Sequence, residues 1–232
     1  MNSEVIGVLG GMGTYATIHL FRQYAEIFPA EKEWDRPRII IDNRCTMPSR
    51  VRAFLYGENR QELVRQMSES IEHLMNFGCT RIILACNTSH LFLPEIFDRV
   101  PKCRCTIVNI VENSASVLQR RGIENVYILG SEGTLDSKIY QNMFSKVGIN
   151  CVVPATNEYA QLRECIEAVK QNKYSNHIKE IFLSLTTRHA CCLLGCTELP
   201  VLAEKYEQEL SGVELIDPLY LALCSIKQEL LQ

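Results

Sequence analysis

The sequence repeats itself, and this limits its architecture more than any other feature. Gly10, Gly13 and Thr14 recur 120 residues later as Gly130, Gly133 and Thr134, each set directly after an apolar run. A second echo lies 110 residues apart: Leu84-Ala85 leads into Cys86-Asn87-Thr88, and Leu194-Gly195 leads into Cys196-Thr197-Glu198. A chain that carries the same strand-and-loop punctuation twice is expected to fold as two similar halves.

The pattern between these loops says what kind of halves they are. Short β-branched or apolar runs at 5–9, 38–42, 81–85, 106–110, 126–129, 151–153, 190–194 and 213–216 read as buried strands. Stretches of helical period alternate with them, as expected of an α/β protein whose parallel strands are covered by helices. Thr17, Leu20, Phe21, Tyr24 and Phe28 fall on one helical face, as do Leu63, Met67, Ile71, Leu74 and Met75 before the stop signal Gly78. Further helices are expected around 112–121, 158–170, 175–188 and 218–231. The expected division is a first α/β domain of 1–112 plus 212–232, carrying Cys86, and a second of 113–211, carrying Cys196. No Pro/Gly/Ser-rich linker separates them. In parallel α/β units a ligand sits beyond the carboxyl ends of the strands, so the four repeated loops are where chemistry is sought, with one cysteine on each wall of a shared cleft.

Composition narrows the function classes. The 232 residues, 47% hydrophobic and 22% charged, suffice for one sizeable core or two smaller ones. With 24 Lys+Arg against 27 Asp+Glu the net charge is -3, which gives no reason to expect nucleic acid or an anionic membrane as partner. A small molecule is the expected ligand. The opening MNSEVIGVLGGMG has no basic flank and long apolar run of a signal peptide, and no stretch has the length of a membrane span, so the expected location is the cytoplasm. The 11 cysteines fit a reducing compartment, and spacings such as Cys103/Cys105 and Cys191/Cys192 are poor for a tetrahedral metal site, so no metal is expected. Most of them are expected to be small buried hydrophobes.

Cys86 and Cys196 differ from the rest. Each follows a strand and precedes polar residues able to cap a helix, a position that favours the thiolate. A pair of thiols in different protonation states suits inversion of a chiral carbon, where one group removes a proton from one face and another delivers a proton to the opposite face.

Here the residues reach a family. Gly10-Gly11-Met12-Gly13, Cys86-Asn87-Thr88-Ser89-His90, Leu129-Gly130-Ser131-Glu132-Gly133-Thr134 and Gly195-Cys196-Thr197-Glu198-Leu199 closely resemble, in order and spacing, the signature segments of the aspartate/glutamate racemases. The GGMG opening is more similar to the aspartate type than to glutamate racemases, whose first loop carries Asp-Ser and whose second cysteine is followed by Thr-His. The resemblance implies two pseudosymmetric α/β domains with the site between them, a two-base mechanism without pyridoxal phosphate or other cofactor, and commonly a homodimer. It implies Cys86 and Cys196 as the catalytic pair, with Asn87, Thr88 and Thr197 holding the substrate α-carboxylate. Arg50 and Lys170 match residues that take a side-chain carboxylate, a task suited to the guanidinium fork. Met12, Gly13, Ser131 and Thr134 of the glycine loops join the substrate-binding set, the glycines allowing close backbone approach to a small carboxylated substrate. Glu198 is expected either on the substrate ammonium or at a helix N-terminus, and His90 either tunes the thiol or packs. Thr14 departs from the proline usual in aspartate-type members, and Ser131 from a frequent threonine. The implied activity is interconversion of L- and D-forms of an acidic amino acid. The alternatives are a broad-specificity amino-acid racemase, a hydantoin racemase or decarboxylase-like α-carbanion enzyme, and a silent binding protein of the same fold. A thiol redox or metal-storage role is the weakest reading, because the cysteines are scattered.

Overall fold

The computed structural model describes residues 4–231. The first half runs β1 (Val5–Gly10), α1 (Thr14–Ile27), β2 (Arg38–Asn43), α2 (Arg50–Tyr56), α3 (Arg60–Asn76), β3 (Arg81–Leu84), α4 (Leu93–Arg99) and β4 (Ile107–Val108). After α5 (Ile110–Arg120) the second half runs β5 (Asn125–Gly130), α6 (Glu132–Asp136), α7 (Ile139–Ser145), β6 (Asn150–Val152), α8 (Tyr159–Lys170), α9 (Asn176–Thr186), β7 (Cys191–Gly195), α10 (Leu199–Lys205), β8 (Glu214–Ile216) and α11 (Pro218–Leu230).

The strands form two four-stranded parallel sheets with the same order, β2-β1-β3-β4 and β6-β5-β7-β8. In each, the chain crosses to one side after the first strand and to the other after the third. The glycine loop and the cysteine loop therefore leave neighbouring strand ends at the point where the direction of winding reverses. β1 and β3 are in register as Leu9 opposite Leu84, and β5 and β7 as Gly130 opposite Gly195.

Strand residues alternate between two cores. On the first sheet Leu9, Ile82 and Leu84 pack with Leu63, Met67, Ile71 and Leu74 of α3 and Ile96 of α4. Ile6, Val8, Ile83 and Ala85 face the other way, into a larger core that continues through Ile128, Leu193 and Phe182 of the second half. One face of the first sheet is thus buried against the second half, which explains why no linker composition marks a boundary: a flexible joint would expose that face to water.

The structure differs from the expected division at two points. Residues 112 and 113 fall inside α5, because Asn109 ends β4 early by accepting from the backbone N–H of Val111 at 3.1 Å and Glu112 at 3.4 Å, which caps the helix. Segment 212–217, expected with the first half, contains β8, which pairs in parallel with β7. The connection through α10 is short, and a short crossover returns the chain beside the strand it left. From this segment α11 reaches back, packing on α1 and α5. Asp217 caps it, accepting from the Leu219 N–H at 2.9 Å and from Gln23 of α1 at 2.7 Å. No helix among the described residues is long and apolar enough to cross a membrane.

Candidate active site

Both cysteines line one narrow cavity, ≈ 60 Å³, between the halves. Met12, Arg50, Asn87, Thr88, Ser131, Lys170, Gly195, Thr197 and Glu198 share its wall, together with Ser49, Val51 and Ile166, which were not among the expected site residues. A wider pocket of ≈ 470 Å³ shares Ser49, Val51, Ser131, Ile166 and Lys170 with it and forms its mouth. Gly13, Thr134 and His90 of the expected set lie outside that wall. Among the described residues no three His, Cys, Asp or Glu side chains converge as metal ligands would.

The two halves are locked crosswise. The residue two places after each cysteine reaches the glycine loop of the opposite half. Thr88 Oγ1 lies 3.0 Å from Ser131 Oγ and 3.1 Å from Thr134 Oγ1, and a Cβ built on Gly133 would come within 2.9 Å of its methyl. Glu198 lies against Gly13, where a Cβ would overlap its Oε1 and stand 3.1 Å from its Cδ. Gly13 and Gly133 therefore make room for a side chain of the other half, whereas Gly10 and Gly130 pack against Thr17 and against Thr134 and Gly195 of their own half. Thr197 adds a tie, its hydroxyl donating to the carbonyl of Ala85 at 3.4 Å.

The two thiols sit in different surroundings. Cys196 donates to Glu198 Oε2 at 3.0 Å. Burial, then the carboxylate beside it, pushes its pKa well above the usual thiol range, and Lys170 offsets this only in part. The helix-end position expected to favour a thiolate is overridden here, because desolvation of the partly buried sulfur and the adjacent carboxylate outweigh the partial charges of a short helix. Cys86 has no carboxylate bonded to its thiol. Its carbonyl is held instead, by the Ser89 hydroxyl at 2.6 Å and by His90 Nδ1 at 3.0 Å. His90 Nε2 accepts from the Ile110 N–H at 3.4 Å, so the ring spans from the cysteine loop to the start of α5 and touches no thiol. Burial lowers its pKa to about 4, and the imidazole is neutral near pH 7.

Ser49 caps α2, accepting from the Arg52 N–H at 3.3 Å, and so places Arg50 in the first turn. Its two terminal nitrogens donate to the carbonyls of Pro48 at 3.0 Å and Met12 at 2.8 Å, leaving Nε buried without a partner. Asn87 is 2% exposed; its Oδ1 accepts from the Tyr140 hydroxyl and its Nδ2 has no partner. Glu198, 3% exposed, leaves Oε1 without a partner. Lys170, at the end of α8, donates to Glu167 at 2.8 Å. Burial works against its charge, but Glu167, Glu198 and Cys196 outweigh this and raise its pKa. Tyr140 carried no signal in the sequence: it lies on a helix of only seven residues.

The family model for Asp/Glu/hydantoin racemases matches residues 9–224. The broad specificity amino-acid racemase RacX of Bacillus subtilis is 24% identical over 90% of this chain and 92% of its own length. A glutamate racemase of Aquifex aeolicus is 23% identical over 70% of this chain, and this chain spans 63% of its length. Among solved structures, Picrophilus torridus aspartate racemase superposes with a TM-score of 0.83 at 26% identity, covering 98% of this chain and 94% of that one. By these matches the chain belongs to the Asp/Glu/hydantoin racemase family and is an amino-acid racemase, an isomerase.

Proposed function

We propose that the enzyme interconverts the L- and D-forms of an acidic amino acid, aspartate first, by proton transfer between Cys86 and Cys196 without a cofactor. One observation carries the reading. Three buried polar atoms on residues of the cavity wall lack a partner among the described residues: the donors Arg50 Nε and Asn87 Nδ2, and the acceptor Glu198 Oε1. Leaving such atoms unpaired costs about 1–3 kcal/mol each, more when charged, so the set is matched by a ligand that brings its own partners. Two donors and one anion complement two carboxylates and one ammonium. The small cavity and the likeness to an aspartate racemase favour the shorter acid.

In this reaction the Cys86 thiolate takes the α-hydrogen as a proton, and the electron pair moves into the carboxylate, which becomes enediolate-like. Asn87 meets that growing charge. The Cys196 thiol returns a proton to the opposite face, leaving a thiolate beside Glu198. The enzyme resets when Cys86 gives up to solvent the proton it took and Cys196 takes one from solvent, and the reverse reaction runs the same steps with Cys196 as base. A second reading, a broader substrate range, is favoured by the pairing of Lys170 with Glu167, which occupies one cation otherwise free for a distal carboxylate.

The test is NMR-monitored exchange of the α-proton of L-aspartate, L-glutamate and a panel of neutral amino acids in deuterated buffer with reductant and EDTA, alongside Cys86→Ala and Cys196→Ala. Aspartate exchange with D-aspartate formation, and loss of racemisation in either variant, is the expected result. Folded, reduced enzyme that exchanges only neutral amino acids would overturn the acidic assignment. Racemisation that survives loss of either cysteine would overturn the two-base mechanism.

A further inference from the structure

Behind the cavity, and outside its wall, lies a phenol that the mechanism does not use. Tyr140 of α7 is fully buried, its ring edge-on to Phe144 at 5.5 Å and 79°. Its hydroxyl donates to Asn87 Oδ1, its only hydrogen-bond partner among the described residues. The far end of that amide, Nδ2, is the unpartnered donor on the cavity wall. Which end of the amide faces the substrate decides whether a carboxylate meets two N–H groups or the lone pairs of an oxygen. Were the amide turned over, its NH2 could donate to the phenol oxygen, but the phenol hydrogen would lose the one acceptor it has among the described residues. A buried hydroxyl without an acceptor is penalised. Burial, with Asp217 adding to it, pushes the phenol well above its usual pKa, so it stays protonated and keeps that hydrogen. The corresponding residue of the second half, Thr197, already spends its hydroxyl on the Ala85 carbonyl. Asn87 is therefore the position after a catalytic cysteine that keeps donors free.

We propose that Tyr140 is a positioning residue that locks the Asn87 side-chain amide with its NH2 toward the substrate carboxylate. The inference rests on the two-base reading for its effect on rate, but the lock itself is a property of the free enzyme. Tyr140→Phe keeps the ring and removes only the hydroxyl, so the amide is free to present either end.

The experiment is a double-mutant cycle with Tyr140→Phe and Asn87→Ala, read as kcat and KM for L-aspartate α-proton exchange, with 15N spectra of asparagine-labelled protein in which the Asn87 amide pair is identified by its loss in Asn87→Ala. Tyr140→Phe is expected to lower kcat/KM by about tenfold or more in the parent and by less than about twofold in the Asn87→Ala background, the signature of two residues acting through one contact. The Asn87 amide pair should shift or broaden in Tyr140→Phe without any ligand. A purely structural tyrosine would give the same loss in both backgrounds, and that result overturns the proposal, as does an unchanged amide pair in folded Tyr140→Phe. If that variant does not fold, L-aspartate added to the parent enzyme decides: the Asn87 pair must move on binding, and a pair that stays put while exchange proceeds overturns the proposal. Absence of exchange with every amino acid tried, with the amide pair still responding to Tyr140→Phe, would reject the racemase reading and leave the lock standing.

Discussion

Gly13→Ala tests the crosswise packing of the two halves. The Gly13 backbone is extended, φ 178°, so alanine meets no conformational penalty there. Its cost arises from a neighbour. The new methyl would overlap Glu198 Oε1 and stand 3.1 Å from Cδ, so the carboxylate must retreat by about an ångström to reach ordinary contact. That movement breaks the 3.0 Å bond from Cys196 Sγ to Glu198 Oε2 and the weaker one from Thr197 at 3.4 Å. A hydrogen bond to a charged group contributes about 1.5–3 kcal/mol, which corresponds to a fall in kcat/KM of about ten- to a hundredfold. Overpacking adds about 1–3 kcal/mol of lost stability, readable as a drop in Tm of a few degrees. The assay is α-proton exchange beside thermal unfolding, in the parent and in a Glu198→Ala background, where the methyl has nothing to displace. A folded Gly13→Ala enzyme within about twofold of the parent, or an equal loss in both backgrounds, would refute the reasoning.

Three further outcomes are expected. Glu198→Gln removes the anion that helps hold Cys196 protonated, so the pH midpoint of Cys196 alkylation, read site by site by mass spectrometry, should fall; an unmoved midpoint removes Glu198 from the account. Arg50→Lys keeps the charge but loses the Nε donor and the fork that spans two carbonyls, so KM for L-aspartate should rise by about tenfold with a smaller change in kcat, and unchanged KM would place the carboxylate elsewhere. Burial lowers the His90 pKa from 6.5 to about 4, so the folded state binds fewer protons than the unfolded state in that window; the stability this group contributes is complete above pH 6.5 and is lost as pH falls toward 4. The loss approaches about 3 kcal/mol, and His90→Gln should flatten that part of the stability curve in denaturant titrations.

All eight expected strands correspond to strands of the two sheets; the inner strands β1, β3, β5 and β7 declare themselves as buried apolar runs, and the outer strands as short apolar segments between helices. The short helices α2, α4, α6, α7 and α10 escaped the sequence, being five to seven residues long, too short for a helical period to declare itself. Their positions depend on caps such as Ser49 and Ser131 and on the core beneath them. β8 was ambiguous because an outer strand's apolar pattern does not name its neighbour. At the site, repetition exposed the cysteine loops, while the contact of Gly13 with Glu198 is invisible to any local pattern, since the two residues meet only when the halves close on each other. Tyr140 was hidden for a related reason: a buried phenol differs from a core phenylalanine only in what its hydroxyl finds.

A break in the pseudosymmetry falls where Thr88 in one half corresponds to Glu198 in the other, and it bears on how a two-base racemase divides its work. Mirror-image substrates in water have an equilibrium constant of one, so kcat/KM must be the same in both directions at every pH, whatever holds each thiol. The asymmetry of Glu198 can appear only in how kcat and KM share that ratio. With Cys196 held protonated, the resting enzyme is the form that accepts the enantiomer whose α-hydrogen faces Cys86. The other enantiomer needs the reversed form, and its apparent KM is raised by the inverse of that form's population. Its kcat must then be higher by the same factor. Progress curves from each pure enantiomer should therefore show unequal KM values in a fixed ratio to unequal kcat values, and Glu198→Gln should draw both pairs together. Equal KM values for the two enantiomers in the parent enzyme would mean that Glu198 does not bias the resting protonation state, and that the thiol-to-carboxylate bond serves only to hold the cysteine loop in place.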